Sequence, residues 1–74
     1  MIKLYTKTVC PKCIVAKAML EDSGVVYEAF NIDTDNEAKQ VLVDKGFMAV
    51  PIAEHDGNFF TSNEQIQGLI EELK

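Results

Sequence analysis

At 74 residues the chain is one small domain, 1–74, with room for only a limited core, and its apolar content of 47% excludes an unfolded, solvated chain. A net charge of −5 argues against nucleic acid, since phosphate binding needs a basic face, so no nucleic-acid partner is expected. No apolar run approaches membrane-spanning length, and Met1–Lys7 lacks the unbroken apolar stretch of a signal peptide, so no membrane partner, a cytoplasmic location and a monomer are the expectations.

Taken in order, Ile2–Tyr5 reads as a short buried strand, and Thr6–Val9 as a loop. The loop leads into Lys7-Thr8-Val9-Cys10-Pro11-Lys12-Cys13, which holds both cysteines of the chain. From Pro11 to about Asp22 the pattern is helical, with Ile14, Val15, Ala18 and Met19 on one face and Lys17, Glu21 and Asp22 outside. Ser23-Gly24 stops this helix, and Gly24 suits the left-handed position past its end. Val25–Asn31 is β-branched and aromatic and reads as a second strand. Asp33-Thr34-Asp35 offers caps for a second helix through Lys45, with Ala38, Val41 and Leu42 facing inward and Gly46 ending it.

Two strands, each followed by a helix, predict a right-handed crossover and parallel pairing. Ile52–His55 then reads as a third strand, Asp56-Gly57 as a hairpin turn and Asn58–Phe60 as the antiparallel return. Thr61 or Ser62 caps the last helix, and Thr61-Ser62-Asn63-Glu64 has the capping-box pattern. Ile66, Leu69, Ile70 and Leu73 give that helix one apolar face. The predicted class is α/β, in the order β-α-β-α-β-β-α, with a four-stranded mixed sheet flanked by helices on both faces.

The C-x-x-C spacing carries the chemistry. Two such sulfurs can close a small ring when the second cysteine lies one turn into a helix and the first sits at its N-terminus. Unpaired N–H groups and the helix dipole there favour a thiolate. Pro11 suits the first helical position, and Lys7 and Lys12 add positive charge on either side of Cys10. Cys10 is thus the expected attacking thiolate, and Cys13 the resolving thiol that releases a mixed disulfide. Two blander readings compete. A structural zinc site wants four ligands, and only His55 could join the cysteines as a further N or S donor unless chains share the site. A purely structural disulfide would close too short a loop to constrain much of the chain.

The element order is joined by Tyr5-Thr6-Lys7 before Cys10-Pro11-Lys12-Cys13, Gly46-Phe47 after the second helix, Val50-Pro51 before the third strand and the Asp56-Gly57 hairpin. Together, over nearly the whole chain, these resemble a minimal thioredoxin-fold protein of the glutaredoxin class. The resemblance implies a dithiol–disulfide oxidoreductase with no tightly bound cofactor, working through a redox-active Cys10–Cys13 disulfide. It implies a cis Val50–Pro51 bond against that disulfide, with the Val50 main chain pairing with an extended substrate segment. Thr8 and Val9 would line the same surface.

The branches of the class differ in electron source. Glutathione-dependent members resemble C-P-Y-C and carry a glycine pair at the start of the last helix; here Lys12 replaces the tyrosine and the region reads Phe60-Thr61-Ser62-Asn63-Glu64. Ser62 at a helix N-terminus can hold a carboxylate, which Glu64 would oppose. The chain looks closer to NrdH-type redoxins, which take electrons from thioredoxin reductase and serve ribonucleotide reductase, although their frequent C-x-Q-C also differs at Lys12. Glutathione stays the alternative electron source, another disulfide-containing protein the alternative target, and a metal- or cluster-binding module the remote alternative function. Of the remaining residues, Phe47 and Met48 read as an apolar docking rim or, for Phe47, as core. His55 reads as an exposed turn residue, Tyr5 and Tyr27 as strand packing, and Asp33 and Asp35 as helix caps.

Overall fold

A computed structural model describes residues 1–73. The elements are β1 (Ile2–Thr6), α1 (Pro11–Ser23), β2 (Tyr27–Asn31), α2 (Asn36–Asp44), β3 (Ile52–His55), β4 (Asn58–Phe60) and α3 (Asn63–Leu73). They form one sheet in the order β2-β1-β3-β4. β1 pairs parallel with β2, Leu4 opposite Ala29, and antiparallel with β3, Leu4 opposite Ala53. The predicted class and order are those observed.

β1 is central because both its edges are paired and both its faces are covered. Ile2 and Leu4 point into a core made with Ala16 and Leu20 of α1, Ala53 of β3, and Ile66, Leu69 and Ile70 of α3. Tyr5 points the other way, into a second core with Ala38, Leu42 and Ile52, closed by the half-buried Phe30, Phe47 and Phe59. Alternation along one strand thus feeds two cores, with α1 and α3 on one face of the sheet and α2 on the other. Each fully buried leucine or isoleucine stabilises by about 1.5–3 kcal/mol relative to exposure, which a domain this small needs.

The predicted inward face of α1 is wrong. Cys13, Ala16 and Leu20 are buried, whereas Ile14 and Val15 are 69% and 50% exposed, Ala18 is exposed and Met19 half-buried. Apolar residues occur on every side of this helix, so periodicity had no unique phase to detect. In α2, Ala38 and Leu42 are buried as expected, but Val41 is exposed. β2 begins at Tyr27, not Val25.

The helix ends follow local chemistry. Gly24 sits at φ 74° beyond α1, where its N–H reaches the Glu21 carbonyl. Asp35 caps α2 by accepting the Ala38 N–H at 3.1 Å. Of the two caps expected for α3, Thr61 and Ser62, the structure uses Ser62, one residue beyond the start of the box Thr61–Glu64. The Ser62 hydroxyl accepts the Gln65 N–H at 3.2 Å, while the Gln65 side chain accepts the Thr61 N–H at 2.8 Å. Glutamine thus plays the part expected of Glu64. Ile66, Leu69 and Ile70 are buried as predicted, but Leu73 is 41% exposed at the end of the helix. Asp56 and Gly57 take φ of 51° and 81°, as a two-residue hairpin turn between β3 and β4 requires.

Candidate active site

The site forms where the parallel strands β1 and β2 end and their loops begin. β1 stops at Thr6, residues 7–9 bridge, and Cys10 caps α1 in an extended conformation, φ −153° and ψ 92°. Pro11 takes the first turn, and the Cys13 N–H donates to Cys10 Sγ at 3.1 Å. The helix N-terminus thus aims a backbone donor at the first sulfur, the position where a thiolate gains most. Cys10 and Cys13 are joined as a disulfide with Cα atoms 5.2 Å apart. Both cysteines are buried, Cys10 8% exposed and Cys13 2%, so the residue at the cap is the slightly more open of the two.

Exposed apolar residues flank the cysteines in the chain and precede the Val50–Pro51 bond. Val9, Ile14 and Met48 are 80%, 69% and 99% exposed. The Val50–Pro51 bond is cis, as the resemblance implies. Val50 is half-buried and Pro51 buried, and both line a groove of about 270 Å³ with Lys12, Thr61, Ser62 and Asn63. Tertiary structure therefore brings Lys12, Val50, Pro51 and Ser62 to one concave surface from three separate parts of the chain. Thr8, Val9, Pro11 and Lys7 are exposed on the cysteine side. Phe47 turns inward to pack on Phe59, 5.3 Å between ring centroids, while Met48 is left in solvent.

Three residues that sequence reasoning did not assign to the site hold its backbone. Asp33 accepts the Thr8 N–H at 2.9 Å and does not cap α2. Asn31 donates to the Thr8 hydroxyl at 3.2 Å. Asn63 donates to the Lys12 carbonyl at 3.2 Å, tying the start of α3 to the residue between the cysteines. The Asn63 Oδ1 is buried without a partner; the Lys12 carbonyl fixes the amide's orientation, because only an N–H can meet it. The Asn31–Asp35 polar run at the carboxyl end of a parallel strand was a usable signal for the first two. Nothing local marks Asn63, which lies 51 positions from its partner.

Electrostatics near the site centre on Asp33. Its carboxyl is held below the ordinary carboxylate range by the Thr8 backbone N–H first, then the Thr8 side chain, with Lys7 and Lys39 adding attraction. The positive charge of Lys7 therefore has an acidic neighbour in Asp33. On the α2 face, burial pushes the Tyr5 phenol up to about 12, helped by Glu54, whose carboxylate accepts its O–H at 3.3 Å. Tyr5 also stacks on Phe30, and Tyr27 bonds Glu21 at 2.9 Å, so both tyrosines are packing residues. His55 is not an exposed turn residue. It is the half-buried last residue of β3, 3.6 Å from Asp56, at the strand end remote from Tyr5 and the cysteines. Among the described residues no three His, Cys, Asp or Glu side chains gather as metal ligands.

The family model for glutaredoxin matches residues 2–60. The chain belongs to the glutaredoxin family. Members of this family, the NrdH-redoxins included, are thiol–disulfide oxidoreductases of the thioredoxin fold that carry electrons to disulfide targets. A probable glutaredoxin of Synechocystis sp. is 42% identical over 41 residues, 55% of this chain and 47% of that protein, so the match spans about half the relative's length. The glutaredoxin-like protein NrdH of Lactococcus lactis is 28% identical over 61 residues, 82% of this chain and 85% of the relative. The solved NrdH-redoxin of Escherichia coli superposes with a TM-score of 0.85 at 26% identity, covering 99% of this glutaredoxin-family chain and 93% of that one. No helix among the described residues is long and apolar enough to cross a membrane.

Proposed function

We propose that the protein is an NrdH-type electron donor, which reduces protein disulfides through Cys10-Pro11-Lys12-Cys13, draws its electrons from thioredoxin reductase and serves ribonucleotide reductase. The observation that carries the redox reading is the Cys10–Cys13 disulfide at the N-terminus of α1, with Cys10 Sγ accepting the Cys13 N–H. In the reduced protein the Cys10 thiolate attacks one sulfur of the target disulfide. A Cys10–target bond forms, and the other target sulfur leaves as a thiolate that takes a proton. Cys13, deprotonated, then attacks Cys10 Sγ. The second target thiol is released, and the Cys10–Cys13 disulfide closes. Two electrons have moved to the target, and the reductase must return two. Val50 and Pro51 would hold the target's extended backbone in the groove, Thr8 and Val9 would face it, and Lys7, Pro11 and Lys12 would tune the thiolate.

Support for the NrdH branch comes from similarity to proteins of that name over most of the chain and from the absence of a glycine pair before α3. One feature favours a second reading, with glutathione as donor. The groove joins the Lys12 cation to Thr61 and Ser62 at a helix N-terminus, a combination that can take a carboxylate. The oxidised protein supplied with NADPH and either thioredoxin reductase or glutathione plus glutathione reductase separates the two. Turnover with thioredoxin reductase alone is expected. Turnover with glutathione alone would transfer the protein to the glutathione-dependent branch.

A further inference from the structure

The loop that leads to Cys10 is poorly held by its own backbone. Apart from helix and sheet ladders, no backbone–backbone hydrogen bond among the described residues involves Lys7, Thr8 or Val9. The main-chain tether ends at Thr6, whose carbonyl accepts the Ile32 N–H at 2.8 Å. Three such residues directly before a nucleophile would leave its approach surface loose, since unpaired backbone is where chains move.

What grips the loop comes from the β2–α2 junction. The Asp33 carboxylate takes the Thr8 N–H at 2.9 Å, and the Asn31 amide donates to the Thr8 hydroxyl at 3.2 Å. The junction is itself braced. Asn31 Oδ1 accepts the Asp33 N–H at 2.9 Å, and the Asn31 carbonyl accepts the Asp35 N–H at 2.8 Å and the Thr34 N–H at 3.1 Å. Asp35 then caps α2. A continuous set of hydrogen bonds thus runs from the N-terminus of α2 to the residue two before Cys10.

We propose that Asn31 and Asp33 are positioning residues, which hold Thr8 and through it the Lys7–Val9 wall against which a protein disulfide meets Cys10. The proposal rests on Cys10 being the nucleophile. Positioning of this kind acts on rate through geometry, and small displacements of a reacting surface are costly. The Asp33 carboxylate stays ionised wherever a thiol titrates. The groups facing Asp33 are the Thr8 N–H and hydroxyl and the cations of Lys7, in the loop, and Lys39, in α2, all of which favour the carboxylate. A lowered folded pKa means that this stabilisation is present above the ordinary value of 3.8 and is lost only as pH falls through the folded value.

The test separates the acceptor from the charge. Asp33→Ala and Asp33→Asn both remove the charge, but only Asp33→Ala removes the acceptor for the Thr8 N–H. Each reduced variant is assayed against insulin disulfides and, separately, against iodoacetamide, with the alkylated cysteine identified by mass. Asp33→Ala is expected to attack insulin about three- to tenfold more slowly than Asp33→Asn, and Asn31→Ala to fall with it, while alkylation of Cys10 by the small probe stays within about twofold. Equal insulin rates for Asp33→Ala and Asp33→Asn would overturn the proposal, as would equal slowing toward both probes, which would place the effect in the thiol itself. Alkylation of Cys13 in place of Cys10 in the wild-type protein would instead overturn the nucleophile assignment beneath it.

Discussion

Helices α1 and α3 cover the same face of the sheet and share one core, yet their sequences obey different rules. α3 buries Ile66, Leu69 and Ile70 and, apart from Leu73 at its end, exposes no large apolar residue, so burial explains nearly all of its pattern. α1 buries a narrow stripe, Cys13, Ala16 and Leu20, and leaves Ile14 and Val15 in solvent beside the disulfide. Exposed β-branched apolar residues next to a reactive sulfur make sense as contact surface, not as core. The lesson is that a helix which carries a site has two apolar duties, and its periodicity blurs in proportion.

The comparison breaks first at the cysteines. Cys10→Ser should abolish reduction of protein disulfides, a loss of at least about a hundredfold, because no thiolate remains at the α1 cap. Cys13→Ser should instead trap mixed disulfides with target protein, visible on non-reducing gels. Full reductase activity in Cys10→Ser would remove α1's special role altogether. Next come two isoleucines. Ile66→Ala in α3 should cost about 2–5 kcal/mol in denaturant unfolding, as for a fully buried large-to-small change. Ile14→Ala in α1 should change stability by no more than about 0.5 kcal/mol while lowering kcat/KM toward a protein disulfide. Comparable destabilisation by both would show that α1's outer apolar residues are structural after all. The smallest effect sharpens the contrast within α3. Gly68 lies inside that helix, exposed, and a Cβ there meets nothing within 4 Å. Gly68→Ala should therefore stabilise by about 0.5–1 kcal/mol with activity unchanged, read as a rise in the unfolding midpoint.

Much of the fold was legible because its signals are local. The strands β3 and β4, the Asp56-Gly57 turn, the Gly24 stop and the Asp35 cap each depend on chemistry within a few residues, and each stands where the sequence placed it, while β1 runs one residue further than expected, through Thr6. The cysteine pair at the start of α1 was legible for the same reason, since spacing and Pro11 already imply a helix N-terminus. The inward face of α1 was not, because apolar residues on all sides carry no phase. The cap of α3 stayed open between Thr61 and Ser62 because Thr61 with Glu64, and Ser62 with Gln65, offer two overlapping boxes of equal local merit, and the structure uses the second.

What the sequence determined by itself is the set of elements, their order and the chemistry of Cys10 and Cys13, all functions of neighbours along the chain. Only the tertiary structure decided what surrounds that chemistry. It brought Val50 and Pro51 to the groove beside Lys12, turned Phe47 inward and Met48 outward, and recruited Asn31, Asp33 and Asn63 to backbone groups at Thr8 and Lys12. These last bonds span 23, 25 and 51 positions. A polar side chain carries no mark of a partner that far away, and only the packing of β2, α2 and α3 around β1 selects one.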